Sequence, residues 1–392
     1  MEKYFYKKEY KYMYLSQISY SLGKALLECF GTVMLYKNGI PIWLILLIYG
    51  IRFGIMGAIT PLFITISSKW GIAKCMLISN IFSILSSFMI LEGKNLYSNI
   101  IIFILFMGLN GLANPSTDAL SSKYVENEHR GKFNSFINIS NLLGIALSSC
   151  IVALGITTNN NMILFAFITF FFLLQYIFIR KIDYKPNNKT NAFKSTIKYI
   201  SKSKSKYKII YALKANHILE RLFLPLYLYI IIGDFKIFSA ITIISLLLQV
   251  LTIILIGKFS DKNLKKSNDL VTIIKTMITG IFLISKNKVV ISVNKTLNDN
   301  FQKAYETSTQ TSIQNIIKES KEDNELLSAV GQMTLCFSEI TIFGILALLT
   351  KIIKEKIFII IFILSIISTI LINVSIKQSK MAKNDVDINE LR

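Results

Sequence analysis

Residues Ile357 to Ile376 read IFIIIFILSIISTILINVSI, with no charge in the run. A helix needs ~20 predominantly apolar residues to cross the hydrocarbon core of a bilayer, and this run supplies them. Met162 to Ile179, MILFAFITFFFLLQYIFI, is a second such run. The whole chain follows suit. It is 53% hydrophobic and only 17% charged, where a soluble protein carries about 25% charged residues. Twelve spans would use roughly 240 residues, which leaves short connections and no large soluble domain in a chain of 392. The fold class expected is an all-α membrane protein with about twelve transmembrane helices in two six-helix halves.

The apolar segments place helices near 14–36, 41–66, 74–92, 98–120, 133–155 and 161–180, then 209–232, 237–258, 269–286, 289–317, 326–350 and 356–377. Between the sixth and seventh lies Lys181 to Lys208, the longest polar stretch, rich in Lys, Ser and Asn. Three regions result: an N-terminal six-helix half over 1–180, a basic linker over 181–208, and a C-terminal half over 209–392. Lys and Arg concentrate on the cytoplasmic side of membrane proteins. Here they gather in the N-tail, the linker, the loop after helix 8 (Lys258, Lys262, Lys265, Lys266) and the loop after helix 4 (Lys123, Arg130, Lys132). Alternating helices put all four on one side, although Lys351, Lys354 and Lys356 run against the trend. The expectation is a multi-pass protein of the cell membrane with both termini cytoplasmic. Lys24 and Glu28 interrupt the first apolar segment, so no cleavable signal sequence is expected. The tyrosine-rich start reads as a retained lead-in suited to the membrane interface.

The net charge of +21 would suit a nucleic-acid partner, but its carriers lie between apolar segments rather than on one folded domain. No nucleic acid is expected. Cys29, Cys75, Cys150 and Cys336 sit in apolar stretches without metal-like spacing, so neither a disulfide framework nor a metal is indicated. No cofactor is expected.

An internal repeat supports the two halves. Leu26-Leu27-Glu28 and Ile218-Leu219-Glu220 share an offset that also relates Asn110 to Gln302, Asn114 to Glu306 and Asp118 to Gln310. Polar stripes mark helices 1, 4, 7 and 10: Gln17, Ser21, Lys24 and Glu28; Asn110, Asn114 and Asp118; Lys214, His217 and Arg221 beside Glu220; Lys295, Asp299, Gln302 and Glu306, with Lys303 one turn beyond Asp299. Spacings of three and four keep each set on one helix face. A charge at the bilayer centre costs about 2.5–3.5 kcal/mol, so sustained stripes face protein or a water-filled cavity. The alternative for single lysines is snorkelling from a helix end. Arg52 lies deep in helix 2 with Glu28 as its expected partner, either as an interhelical pair or as a ligand contact. Glu339 in helix 11 has no evident local partner and is either a protonated carboxyl that carries a proton or a group pointing into the cavity.

These features resemble the major facilitator superfamily over essentially the whole chain. That family carries a Gly-x-x-x-Asp-basic pattern after helix 2 and again after helix 8. The second copy is Gly257, Asp261 and Lys262. The first copy has Ile64 and Ser68 at the glycine and acid positions, and keeps Lys69, Gly71 and Lys74. Arg130-Gly131 after helix 4 is also family-like. The resemblance implies that helices 1, 4, 7 and 10 line a central cavity and that Gly257, Asp261, Lys262 and Arg130 serve gating. It implies a secondary carrier of a small polar or ionic solute, not an enzyme. The substrate contacts expected are Lys24, Glu28, Arg52, Asn110, Asn114, Glu220, Arg221, Asp299, Gln302 and Glu306. Met107 replaces the helix 4 arginine of many proton-coupled members, and helix 5 lacks the antiporter glycine-proline signature. Coupling to an ion, direction, oligomeric state and solute stay open. The alternatives are a lipid flippase and a membrane-embedded enzyme acting on a lipid-linked substrate.

Overall fold

The computed structural model describes residues 8–37, 39–92, 96–143, 161–182, 198, 206–233, 235–319 and 324–390. The first six helices are α1 (Lys8–Lys37), α2 (Ile42–Trp70), α3 (Ile72–Glu92), α4 (Leu96–Leu109 and Asn114–Tyr124), α5 (130–143) and α6 (Asn161–Ile179). The second six are α7 (Lys206–Ile232), α8 (Phe235–Lys262), α9 (Leu264–Ile284), α10 (Lys288–Glu319), α11 (Asn324–Ile353) and α12 (Ile357–Glu390). There is no strand among the described residues. Alternation brings the loops after α2, α4 and α8 to the same end as the start of α1. This is called the basic-loop end below. Most of the linker, 183–197 and 199–205, lies outside the described residues.

Six stretches among the described residues are long and apolar enough to cross a bilayer, and one of them, Leu326–Gln378, runs over both α11 and α12. Helix α10 is not among them, because its middle carries Lys295, Asp299, Lys303 and Glu306. A rod of that length survives in lipid because the bundle encloses its polar face.

Helix α4 departs from the expected continuous rod. A 3-10 turn over Asn110–Ala113 divides it, and Pro115 opens the second piece. Proline has no N–H and its ring clashes with the carbonyl of the preceding turn, so an α-helix breaks there. The tyrosines before helix 1 also differ from expectation. The Tyr10 hydroxyl donates to the Tyr124 carbonyl, Tyr12 stacks on Phe178 and Tyr14 meets Phe136 edge-on. They are contacts within the protein, formed because α1 continues without a break from Lys8.

The halves meet most closely along α2 and α11. A methyl group at Gly50 would lie 3.1 Å from Phe343 Cβ, and one at Gly57 would lie 3.0 Å from Cys336 Cβ. Small residues on one helix face, here two turns apart, let two backbones approach, and in lipid such packing substitutes for the hydrophobic effect. Towards the end away from the basic loops, Phe53 and Phe223 both pack edge-on against Phe343. Tyr49 packs against Phe223 and Tyr36 against Tyr229, again across the halves.

Candidate binding cavity

A cavity of about 460 Å³ lies between the halves, lined by side chains from α1 to α8 and from α10 and α11. Contacts between the halves lie on both sides of it. On one side is the aromatic cluster just described, with Thr32 Oγ1 donating to the Leu222 carbonyl at 3.0 Å. At the basic-loop end the contacts are polar. Gln310 Nε2 donates to Asp118 Oδ1 at 2.6 Å, Asn134 Nδ2 donates to Gln314 Oε1 at 3.0 Å, and Arg130 Nη1 donates to Asn315 Oδ1 at 2.7 Å.

The expected stripes on α1, α7 and α10 reach the cavity. Gln17, Ser21 and Lys24 line it, as do Lys214, His217, Glu220 and Arg221, and Lys295, Asp299, Gln302, Lys303 and Glu306. Arg52, Asn114, Asp118 and Glu339 join them. Asn110 does not. Its side chain bonds Met107 Sδ at 3.9 Å, because the 3-10 turn advances each residue by about 120° rather than 100° and breaks the spacing that linked it to Asn114. The Glu28 side chain lies outside the described residues, so its expected pairing with Arg52 does too. The contacts Arg52 makes are with the faces of Tyr49 and Phe53, its guanidinium carbon 5.6 and 5.0 Å from the ring centres.

Glu220 is held from the neighbouring helices. Its ion-pair partner is Lys275 on α9, at 2.6 Å, rather than its neighbour Arg221. Asn298 Nδ2 and the Ser365 hydroxyl also donate to it, while Lys275 donates to Asn298 Oδ1 at 2.7 Å. Both charges are buried and every partner is satisfied, the condition under which a buried pair is tolerated. Sequence reasoning missed Lys275, Asn298 and Ser365. The available signal was a lone lysine in the apolar run VTIIKTMITG, but without a stripe it marked no face.

The remaining charges sort unevenly. Lys295 pairs with Asp299 at 2.7 Å and Lys303 with Glu306 at 2.6 Å. Asp118 accepts from Tyr211 and Gln310, and Gln310 Oε1 accepts from Lys214 at 3.0 Å. Lys24 lies over the Tyr20 ring at 5.3 Å. Glu339 is fully buried, and neither carboxyl oxygen has a hydrogen-bond partner.

The loop residues expected to gate lie at the α5–α8 contact. Asp261 accepts from the backbone amides of Gly131 at 2.8 Å and Lys132 at 3.3 Å. These amides open α5, where a helix leaves its first N–H groups unpaired and its dipole favours an anion. The carboxylate therefore ties the second half to the first, rather than holding helices of its own half together. Gly257 packs against Ser135 and the Gly131 carbonyl. Arg130 is fully buried, whereas Lys262 is exposed. Among the described residues no group of His, Cys, Asp and Glu is arranged to hold a metal.

Residues 13–288 match the family model of the Major Facilitator Superfamily. The chain belongs to that superfamily. Members of the Major Facilitator Superfamily move small-molecule solutes across membranes, and this chain is accordingly a multi-pass membrane transporter rather than an enzyme. No curated protein matches the sequence. Among solved structures, it is similar to a bacterial homologue of the iron transporter ferroportin in its outward-facing state. There the TM-score is 0.70 at 13% identity, over 95% of this chain and 99% of that one. The nucleoside transporter NupG gives a TM-score of 0.64 at 14% identity, over 94% and 100% of the two chains. The human organic anion transporter MFSD10 gives 0.63 at 9%, over 94% and 99%. At these identities the likeness is one of fold, and three different cargoes are named on it.

Proposed function

We propose that this protein is a secondary carrier that moves a small polar or ionic solute by alternating access, in the cell membrane with both termini cytoplasmic. The observation that carries this reading is a charged central cavity with contacts between the two halves on either side of it. Breaking one set while keeping the other would open the cavity to one face of the membrane, which is the rocking expected of paired repeats around a midplane site. The substrate contacts proposed are Lys24, Arg52, Asn114, Glu220, Arg221, Asp299, Gln302 and Glu306. Gly257, Asp261 and Arg130 act in the gate at the basic-loop end. The linker over 181–208 joins two halves, 1–180 and 209–392. Basic loops at one end support its cytoplasmic placement.

The test is solute counterflow in proteoliposomes, with purified protein and a panel of radiolabelled polar solutes. Accumulation of label against unlabelled internal solute, without chemical change to it, is the expected result. Release of a modified product, or transfer of labelled phospholipid between leaflets with no solute movement, would replace the carrier with the enzyme or the flippase. Repeating the assay under imposed proton and sodium gradients shows whether an ion is coupled.

A further inference from the structure

The charged groups that line the cavity are almost all engaged. Lys295 and Lys303 have their own acids, Glu220 has Lys275, and Lys214 and Asp118 share Gln310. Two groups stand apart. Arg52 has neither a hydrogen bond nor an ion pair among the described residues, its Nε is enclosed without a partner, and its side chain is 6% exposed. Glu339 is 0% exposed with both oxygens unpartnered. One is a basic side chain on α2 and the other an acidic one on α11, the two helices whose close packing joins the halves. Both line the same cavity, and no ion pair joins them among the described residues.

Leaving a buried charged group without hydrogen bonds is costly, more so than leaving a neutral one. Two such groups, one basic and one acidic, both lining one cavity, describe a site whose partners arrive with the ligand. We propose that the cavity binds a zwitterion, its anionic group on Arg52 and its ammonium or other N–H donor on Glu339. The proposal rests on the carrier reading above and names its substrate class. A simple anion would satisfy Arg52 and leave Glu339 bare. A simple amine would do the reverse, and a divalent cation would meet Arg52 as a like charge. The aromatic faces of Tyr49 and Phe53 beneath Arg52 hold the guanidinium in place without using its N–H groups, so these stay available to a carboxylate or phosphate. His217 on α7, whose two ring nitrogens are also unpartnered, is placed on the cavity wall to bond the solute body.

The experiment uses the purified full chain in detergent. Affinities are read by thermal shift for the twenty standard amino acids, glycine betaine and phosphoethanolamine. Each is set against its matched singly charged acid and amine, for example γ-aminobutyrate against butyrate and butylamine. At least one zwitterion should stabilise the protein at lower concentration than either match. Arg52→Gln and Glu339→Gln should each weaken its binding roughly tenfold or more, the loss of a charge-assisted hydrogen bond. Glu339→Gln should leave the residual affinity for the matched acid unchanged, and Arg52→Lys should recover part of the zwitterion binding. Monodisperse elution of each variant excludes misfolding, and Arg52→Lys keeps the test open should Arg52→Gln fail to fold. The proposal is overturned if no zwitterion binds, if the matched acid binds as tightly, or if ferrous iron stabilises the protein and zwitterions do not. Zwitterion binding without counterflow in proteoliposomes would sink the carrier reading and leave this site standing. Counterflow of a plain anion alone would do the opposite.

Discussion

Glu220 and Lys275 show how a single buried pair constrains what can be changed. Each is enclosed and hydrogen-bonded to the other and to Asn298, so removing one charge leaves the other stranded in a low-dielectric interior. Breaking such a pair costs about 3–5 kcal/mol, whereas replacing both members by apolar groups is often near neutral. Glu220→Gln should therefore lower the thermal unfolding temperature in detergent well below that of a loop change such as Glu126→Gln. The double variant Glu220→Gln/Lys275→Met should regain most of the loss. If the double variant were as unstable as the single one, the pair would not be acting as a unit. This residue also marks a limit of reading from sequence. Glu220 stood out because it sits in a stripe that lipid would not tolerate. Its partner is the single charge in the apolar run of its helix, and which face of that helix turns inward is a property of the packed bundle.

At the scale of the helix, the α5–α8 contact is the place where backbone geometry and charge act together. A methyl group added at Gly257 would lie 1.9 Å from Ser135 Oγ and 3.1 Å from the Gly131 carbonyl. Gly257→Ala should therefore wedge the halves apart at the basic-loop end. Asp261→Asn should weaken the same contact more gently, because an amide oxygen is a poorer acceptor for two helix N-terminal amides than a carboxylate. Both variants are expected to increase the thiol reactivity of a cysteine placed at Gln314, with the alanine variant giving the larger effect. Equal reactivity in all three backgrounds would mean that this contact does not hold the end closed. Helices with stripes at spacings of three and four were legible because a bilayer forbids them to face outward. The motif around Asp261 was legible as a motif, but its partner was not, since the amides it binds belong to no side chain. The interruption in α4 was written in Pro115. Its consequence for Asn110 depended on a 3-10 turn that periodicity assumes away.

At the scale of the whole molecule, orientation is a prediction that follows from where the cations lie. In a background without the native cysteines, a cysteine at the exposed Asn287 should react with an impermeant thiol reagent added to intact cells. One at the exposed Lys265 should react only after the membrane is opened. The reverse pattern would invert the carrier. The twelve-helix plan was readable from the apolar runs, while the aromatic contacts that close the far end were not, because phenylalanines facing a partner and phenylalanines facing lipid look alike in one dimension. The hydrogen bond between Asp118 and Gln310 has a meaning beyond closure. Those positions are 192 residues apart, the offset of the repeat read in the sequence, and a residue on the axis of a symmetric dimer meets its own copy. Two such half-length chains would have set aspartate against aspartate there, or glutamine against glutamine. Joining them in one polypeptide lets the copies diverge, so that a donor can face an acceptor. Making the two positions alike with Gln310→Asp should put two carboxylates in contact and drive this end of the protein open, so the unlikeness of the halves would itself hold the closed state.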